Sequence, residues 1–157
     1  MFSKSYIESL PKKRMGAGCL FFDEQGRVML VKPTYKPDWE IPGGAVELNE
    51  SPKQCCRREV KEEIGLEWKK GDLLVVDYNA QTSEKTESLM FIFSGGTLTL
   101  SEIKSIQLSH DELSEFCFFP VDTLPKEMTS TLRNRVLMAC QQVAQDGGIY
   151  LENQEHI

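Results

Sequence analysis

The residues from Met15 to Phe22, MGAGCLFF, form an unbroken run of small and apolar side chains, and DEQG (Asp23 to Gly26) interrupts it before a second apolar run, RVMLVK, from Arg27 to Lys32. Two such runs joined by turn chemistry predict a strand, a hairpin turn and a strand. Pro33, Pro37 and Asp38 then break the pattern. WEIPGG (Trp39 to Gly44) follows as a short extended piece, because Pro42 disfavours helix at Ile41. Further on, DLLVVDYNA (Asp72 to Ala80) and SLMFIFSGGTL (Ser88 to Leu98) read as buried strands, separated by the polar loop QTSEKTE. SEFCFFPV (Ser114 to Val121) predicts another strand, and LENQEHI at the end is either a strand end or a loose tail.

The period changes twice. Glu50, Ser51 and Pro52 make a helix start, with Ser51 as cap and proline where its missing N–H costs nothing, and Gly65 supplies a left-handed stop. Between them Cys56, Val60 and Ile64 share one stripe, while Glu59, Glu62 and Glu63 share an adjacent one. The helix therefore has a core face and an acid face. A second helix is predicted over Thr131 to Gln145, where Leu132, Val136, Leu137, Cys140 and Val143 recur at helical spacing before Gly147 and Gly148. Strands interleaved with two amphipathic helices give an α/β class.

With 157 residues and 40% hydrophobic composition the chain supports one sizeable core. Its formal charge of −6 disfavours a nucleic-acid polymer as partner, whereas a small anion bridged by a cation fits. No apolar run approaches a membrane span or a secretory core, so no membrane partner and a cytoplasmic location are expected. Five cysteines without paired spacing point to reduced, mostly buried thiols rather than a disulfide framework.

The chemistry lies in GGAVELNESPKQCCRREVKEEIGL, Gly43 to Leu66. Carboxylates three and four residues apart on a helix meet on one side, and like charges that close are destabilising unless a cation neutralises them. Hard oxygen ligands of this kind suit Mg²⁺ or Mn²⁺. Gly43 and Gly44 permit close backbone approach, so a main-chain carbonyl can face a metal, and Arg58 can grip a carboxylate with two hydrogen bonds. A solvated acidic face would account for the charges alone. It does not account for the order G, five residues, E, seven residues, R-E, an aliphatic residue, one residue, E-E, one residue, G and an aliphatic residue.

That order resembles the Nudix box in full, through Gly44, Glu50, Arg58, Glu59, Val60, Glu62, Glu63, Gly65 and Leu66, and the chain is similar to the MutT-like branch of Nudix hydrolases. The resemblance implies one Nudix domain over residues 1–157, an α/β/α sandwich with a mixed β-sheet, to which about the first ten residues and the C-terminal tail are expected to be peripheral. It also implies metal-dependent attack of water on a phosphoanhydride in a nucleoside diphosphate linked to another group. A MutT-like nucleoside triphosphate or a nucleotide sugar is the expected substrate, and a homodimer is compatible with it. Carried over, Glu59, Glu62 and Glu63 bind Mg²⁺ (or Mn²⁺) with the carbonyl of Gly43, Arg58 orients a box glutamate, and Glu50 ties the loop to the helix.

The general base is Glu59 or, second, Glu112 in the loop LSHDELSE, which also offers His110, Asp111 and Glu115. Arg14, Lys32, Tyr35 and Lys36 are candidates for one rim of the site, or solvated residues. Trp39 is expected to fill core, with base stacking as the minor alternative. Cys55 and Cys56 should pack the helix and lack a histidine partner for nucleophilic work. Two other functions stay open: a Nudix-fold nucleotide sensor without catalysis, and, with small weight, an isomerase acting on an isoprenoid diphosphate.

Overall fold

In the computed structural model, which describes residues 1–157, the first apolar run is β1 (Arg14–Phe22) and the second is β2 (Val28–Pro33). Asp23 makes the turn between them. Its carboxylate accepts hydrogen bonds from the backbone N–H groups of Gln25 and Arg27 and from the Arg27 guanidinium, while Gly26 takes a left-handed φ of 75°. The two strands pair directly only at Phe22 and Val28. Beyond that point they splay, and β3 (Gly43–Ala45) pairs with β1, setting Gly16 against Ala45, Ala17 against Gly44 and Gly18 against Gly43. The opening between β1 and β2 is what the glycine pair fills.

The remaining elements are α1 (Lys4–Ser9), α2 (Pro52–Ile64), β4 (Leu73–Asn79), β5 (Ser88–Thr97), α3 (Leu100–Lys104), β6 (Leu113–Phe119), α4 (Ser130–Gln142), β7 (Ile149–Glu152) and β8 (Glu155–His156). The strands form one sheet in the order β6-β2-β1-β5-β4-β7-β8, with β3 beside β1. β1 with β5 and β4 with β7 run parallel, and the other pairs are antiparallel, so the sheet is mixed as expected.

Both faces of the sheet are covered, which is why its central strands read as continuous apolar runs. Along β1, Ala17, Cys19 and Phe21 pack under α2 against Cys55, Cys56, Val60 and Ile64. Leu20 points the other way, into a second core with Val136 and Ala139 of α4. The result is an α/β/α sandwich with α2 on one side and α4 on the other. All five cysteines are free thiols, and Cys19, Cys55 and Cys56 are buried.

Several boundaries differ from the sequence pattern for identifiable reasons. The strand read over 114–121 ends at Phe119, since Pro120 has no N–H to give the ladder. The helix read to Gln145 stops at Gln142, after which the chain tightens into three-residue turns, Val143 N–H to the Cys140 carbonyl and Gln145 N–H to that of Gln142. The C-terminal tail is not peripheral. β7 and β8 form a hairpin around Asn153 and Gln154, both at positive φ; Leu151 is fully buried, and Gln154 donates its backbone N–H to Asp77. β3 lies at the end of the extended piece read over Trp39 to Gly44, whereas α1 and α3 have no counterpart in the sequence pattern; α1 buries no residue.

α2 starts where the sequence placed it. The Ser51 hydroxyl accepts the Gln54 N–H at 3.1 Å, and the Gln54 side chain accepts the Ser51 N–H at 2.8 Å, a reciprocal capping box. Gly65 closes the helix at φ 73°. Ser51→Ala should cost about 1 kcal/mol, lowering the melting temperature by roughly 2–4 °C for a domain of this size. An unchanged thermal melt would show that the cap does not set the helix start.

Candidate active site

Arg58 gathers the acids of this region around one guanidinium. Its Nε and Nη2 grip the Glu50 carboxylate at 2.8 and 3.0 Å, and its Nη1 donates to Glu59 at 2.8 Å and to Glu62 at 3.2 Å. Nη2 also reaches the Ala45 carbonyl at 3.2 Å, so the arginine fastens the loop after β3 to α2. The hydrogen bonds from Arg58 hold the Glu50 carboxyl down at about 2.

The acid face is graded rather than uniformly solvated. Glu62 leaves 56% of its side chain in solvent, whereas Glu63 is buried, its Oε2 3.4 Å from the Gly43 N–H. Burial, reinforced by the neighbouring charges of Glu59 and Glu112, pushes the Glu63 carboxyl up to about 8. Burial also raises Glu59, against the opposing pull of Arg58. The pair of glycines is sterically required here. A Cβ on Gly43 would lie 2.3 Å from the Ala17 carbonyl oxygen, and one on Gly44 would lie 2.3 Å from Glu59 Oε1.

These residues line a cleft of about 450 Å³ whose walls carry six glutamates (Glu40, Glu47, Glu59, Glu62, Glu63 and Glu112) and the single cation Arg58. Such a ratio requires protons or a cation to balance it. The donors are hard carboxylate oxygens beside main-chain groups, the set preferred by Mg²⁺ or Mn²⁺. The coordination sphere is not assembled: no three acidic side chains stand close enough to hold an ion as they are. Arg58 engages Glu59 and Glu62, and Glu63 rests on Gly43, whose N–H rather than its carbonyl makes that contact.

Glu112 reaches the cleft because its segment is anchored at both sides. Thr34, just after β2, donates its N–H to the Glu112 carbonyl and its hydroxyl to that of Asp111. On the other side Gln107 and Ser109 donate their N–H groups to Ile64 and Glu63 at the end of α2. His110, Asp111 and Glu115 do not line the cleft. Of the rim candidates only Tyr35 does so. Lys32 donates to the Pro37 carbonyl and lies 5.1 Å from the Trp39 ring centroid, Lys36 pairs with Glu40, and Arg14 is bound to Thr86. Trp39 packs edge-on against Phe119, in line with a core role.

A second cavity, of about 380 Å³, adjoins the cleft across Glu40, Ile41, Gly43 and Gly44 and extends along the α4 side of the sheet. Arg135 of α4 borders it, a residue the sequence pattern passed over. The available signal was its place three residues after Leu132 on the packed side of the helix, where an arginine needs a partner.

The profile of the NUDIX domain matches residues 12–139. Diphosphoinositol polyphosphate phosphohydrolase 2 of Rattus norvegicus is 38% identical over 85 residues, 54% of this chain and 48% of that protein; the chain spans about half the length of the curated relatives it matches. The MutT NUDIX hydrolase from Burkholderia pseudomallei superposes with a TM-score of 0.67 at 24% identity, covering 85% of this chain and 100% of that one. A UDP-X diphosphatase gives a TM-score of 0.72 at 21% identity over 96% of this chain and 76% of that one. These structural likenesses establish the sandwich fold, and the profile, which takes in β1 through most of α4 and the whole acid cleft, shows that the chain belongs to the NUDIX family.

Proposed function

We propose that this chain is a metal-dependent hydrolase that cleaves a phosphoanhydride bond in a nucleoside diphosphate linked to a further group, a nucleoside triphosphate or a nucleotide sugar. The observation that carries this reading is the cleft in which Glu59, Glu62, Glu63 and Glu112 converge beside Arg58 and the Gly43-Gly44 backbone. A carboxylate-lined cleft attracts a phosphorylated substrate only with a bridging cation. The names of the rat relative and of the UDP-X neighbour both refer to diphosphate compounds, which supports the same class of bond.

Glu59, Glu62 and Glu63, with the Gly43 carbonyl, would hold Mg²⁺ or Mn²⁺. When bound, such an ion neutralises charge developing on phosphate oxygens and lowers the pKa of water. Arg58 keeps the acids in register, because it grips Glu50 through Nε and Nη2 and reaches Glu59 and Glu62 through the separate Nη1. Glu59 is the proposed base: its Oε1 takes the Arg58 hydrogen bond, and Oε2 has no protein donor. As the water oxygen bonds to phosphorus, Glu59 takes the water proton and the anhydride P–O bond breaks. The products are a nucleoside monophosphate and the remaining phosphorylated portion. Glu112 faces the same cleft as the second candidate base.

Hydrolysis of a nucleotide panel, followed by the nucleoside monophosphate formed, should require Mg²⁺ or Mn²⁺ and stop on chelation. Glu62→Gln should lower kcat/KM by about 10–100-fold or more while leaving the thermal melt in place, because this side chain is largely outside the core. Undiminished hydrolysis by the folded variant, or after chelation, would defeat the metal assignment.

The two bases separate on Glu112→Gln, assayed at saturating metal and substrate. With Glu59 as base, this variant loses little kcat and Glu59→Gln loses far more. A fall of about 10²–10⁴-fold in kcat for Glu112→Gln, with unchanged metal affinity, would move the base to the loop before β6.

A further inference from the structure

We propose that the apolar side of α1 docks in a groove beside the C-terminal half of α4 on a second copy of this chain, so that two copies exchange their α1 helices. The Ser3 hydroxyl caps α1 by accepting the Tyr6 N–H at 3.2 Å, yet no residue of this helix is buried. Tyr6 and Ile7, with Phe2 and Leu10 flanking the helix, share one side at helical spacing, and each is 44% exposed or more. The Phe2 and Tyr6 rings pack against each other, 4.9 Å between centroids, so that side is already organised. A six-residue helix is marginal alone in water. An apolar side of this kind is completed by a groove that takes residues one turn apart.

The groove, of about 480 Å³, is walled chiefly by Phe22, Val121, Leu137, Cys140, Val143 and Ala144. It opens where β1 ends at Phe22, whereas α1 precedes the first residue of that strand, Arg14. From Arg14 to Phe22 the strand runs roughly 26 Å. Arg14 is held by Thr86 and Lys13 by Glu87, so the link to α1 starts from a fixed point. Fully extended, Leu10 to Lys13 spans at most about 14 Å, and α1 itself adds only about 9 Å. An α1 in this groove therefore comes from another molecule. Helix and groove lie at opposite ends of β1, so two copies with antiparallel β1 strands each offer a groove to the other's α1 about a two-fold axis. Making the contact twice supplies area that one short helix lacks.

Charge fits the same partner. Residues 1–14 carry four cations, Lys4, Lys12, Lys13 and Arg14, against the single acid Glu8, while the whole chain stands at −6. Exposed acids neighbour the groove residues: Asp122 follows Val121, Glu24 lies two residues before Gly26, and Asp146 two residues after Ala144. None of these three, and not Lys12 either, enters an ion pair within the chain. An anionic lipid surface would attract the same cations but repel the acidic body behind them.

Sedimentation velocity of the full chain at roughly 50 μM should show a dimer. Ile7→Glu on the helix and Val143→Glu in the groove should each raise the dimer dissociation constant at least about 10-fold. Both side chains are exposed in the single chain, at 55% and 44%, so neither change disturbs the core. A short bismaleimide gives a direct readout, because Cys140 already lines the groove. In Ile7→Cys protein it should link the substituted position to Cys140 of another molecule, as read by peptide mass spectrometry, and Cys140→Ser should remove that link. A monomeric wild type at this concentration overturns the inference, and its co-sedimentation with phosphatidylserine vesicles would assign the α1 face to lipid instead. A dimer that Ile7→Glu dissociates and Val143→Glu leaves intact, or a cross-link joining the two substituted positions to each other, overturns it equally by placing α1 outside the groove.

Discussion

Crowding of carboxylates around one guanidinium is the constraint on which the rest of the molecule depends. Arg58 touches Glu50, Glu59 and Glu62 at 2.8 to 3.2 Å, yet the cleft it serves contains more acids than one arginine can balance. The consequence is visible at Glu63, which is driven toward its neutral form by burial and by the neighbouring charges of Glu59 and Glu112. An arrangement of this kind carries a standing electrostatic cost, and a divalent cation is the simplest agent that removes it. On the proposed reading, the crowding serves ligand binding rather than stability.

The scaffold supports that crowding from three directions. The early splaying of β1 from β2 leaves room for β3, and the absence of side chains at Gly43 and Gly44 lets α2 bring Glu59 and Glu63 against the strand. The α2 side of the sheet is closed by Cys55, Cys56, Val60 and Ile64, so the helix cannot rotate its acids away without exposing its core face. Finally, the segment before β6 is hydrogen-bonded both to the end of α2 and to Thr34, which brings Glu112 opposite the helix.

What was legible in the sequence was what local chemistry decides. Ser51, Pro52 and Gly65 mark α2 to the residue, Asp23 and Gly26 mark the first turn, and the spacing of Glu59, Glu62 and Glu63 announces a shared face. Periodicity did not reveal that this face runs from exposed Glu62 to buried Glu63, because burial depends on the strand laid over it. β3 was legible only as the end of an extended piece, since Gly-Gly-Ala has no apolar alternation to mark a strand; its pairing with β1 makes it one. Glu112 and its neighbours looked alike in sequence, and only long-range backbone hydrogen bonds choose Glu112. Arg135 was hidden for the same reason, its partners Asp77 and Asn79 lying more than fifty residues away. The tail residues LENQEHI were ambiguous until the parallel pairing of β7 with β4 gave Leu151 a core to enter.

The claim that the cleft is a metal site has a direct structural test, an anomalous difference map from crystals of the full chain equilibrated with Mn²⁺. The account predicts a peak within coordination distance, about 2.0–2.2 Å, of carboxylate oxygens from the Glu59, Glu62 and Glu63 set, with Arg58 retained on Glu50. A map at saturating Mn²⁺ with no peak in the cleft, and with Glu59 and Glu62 still hydrogen-bonded to Arg58, would contradict it.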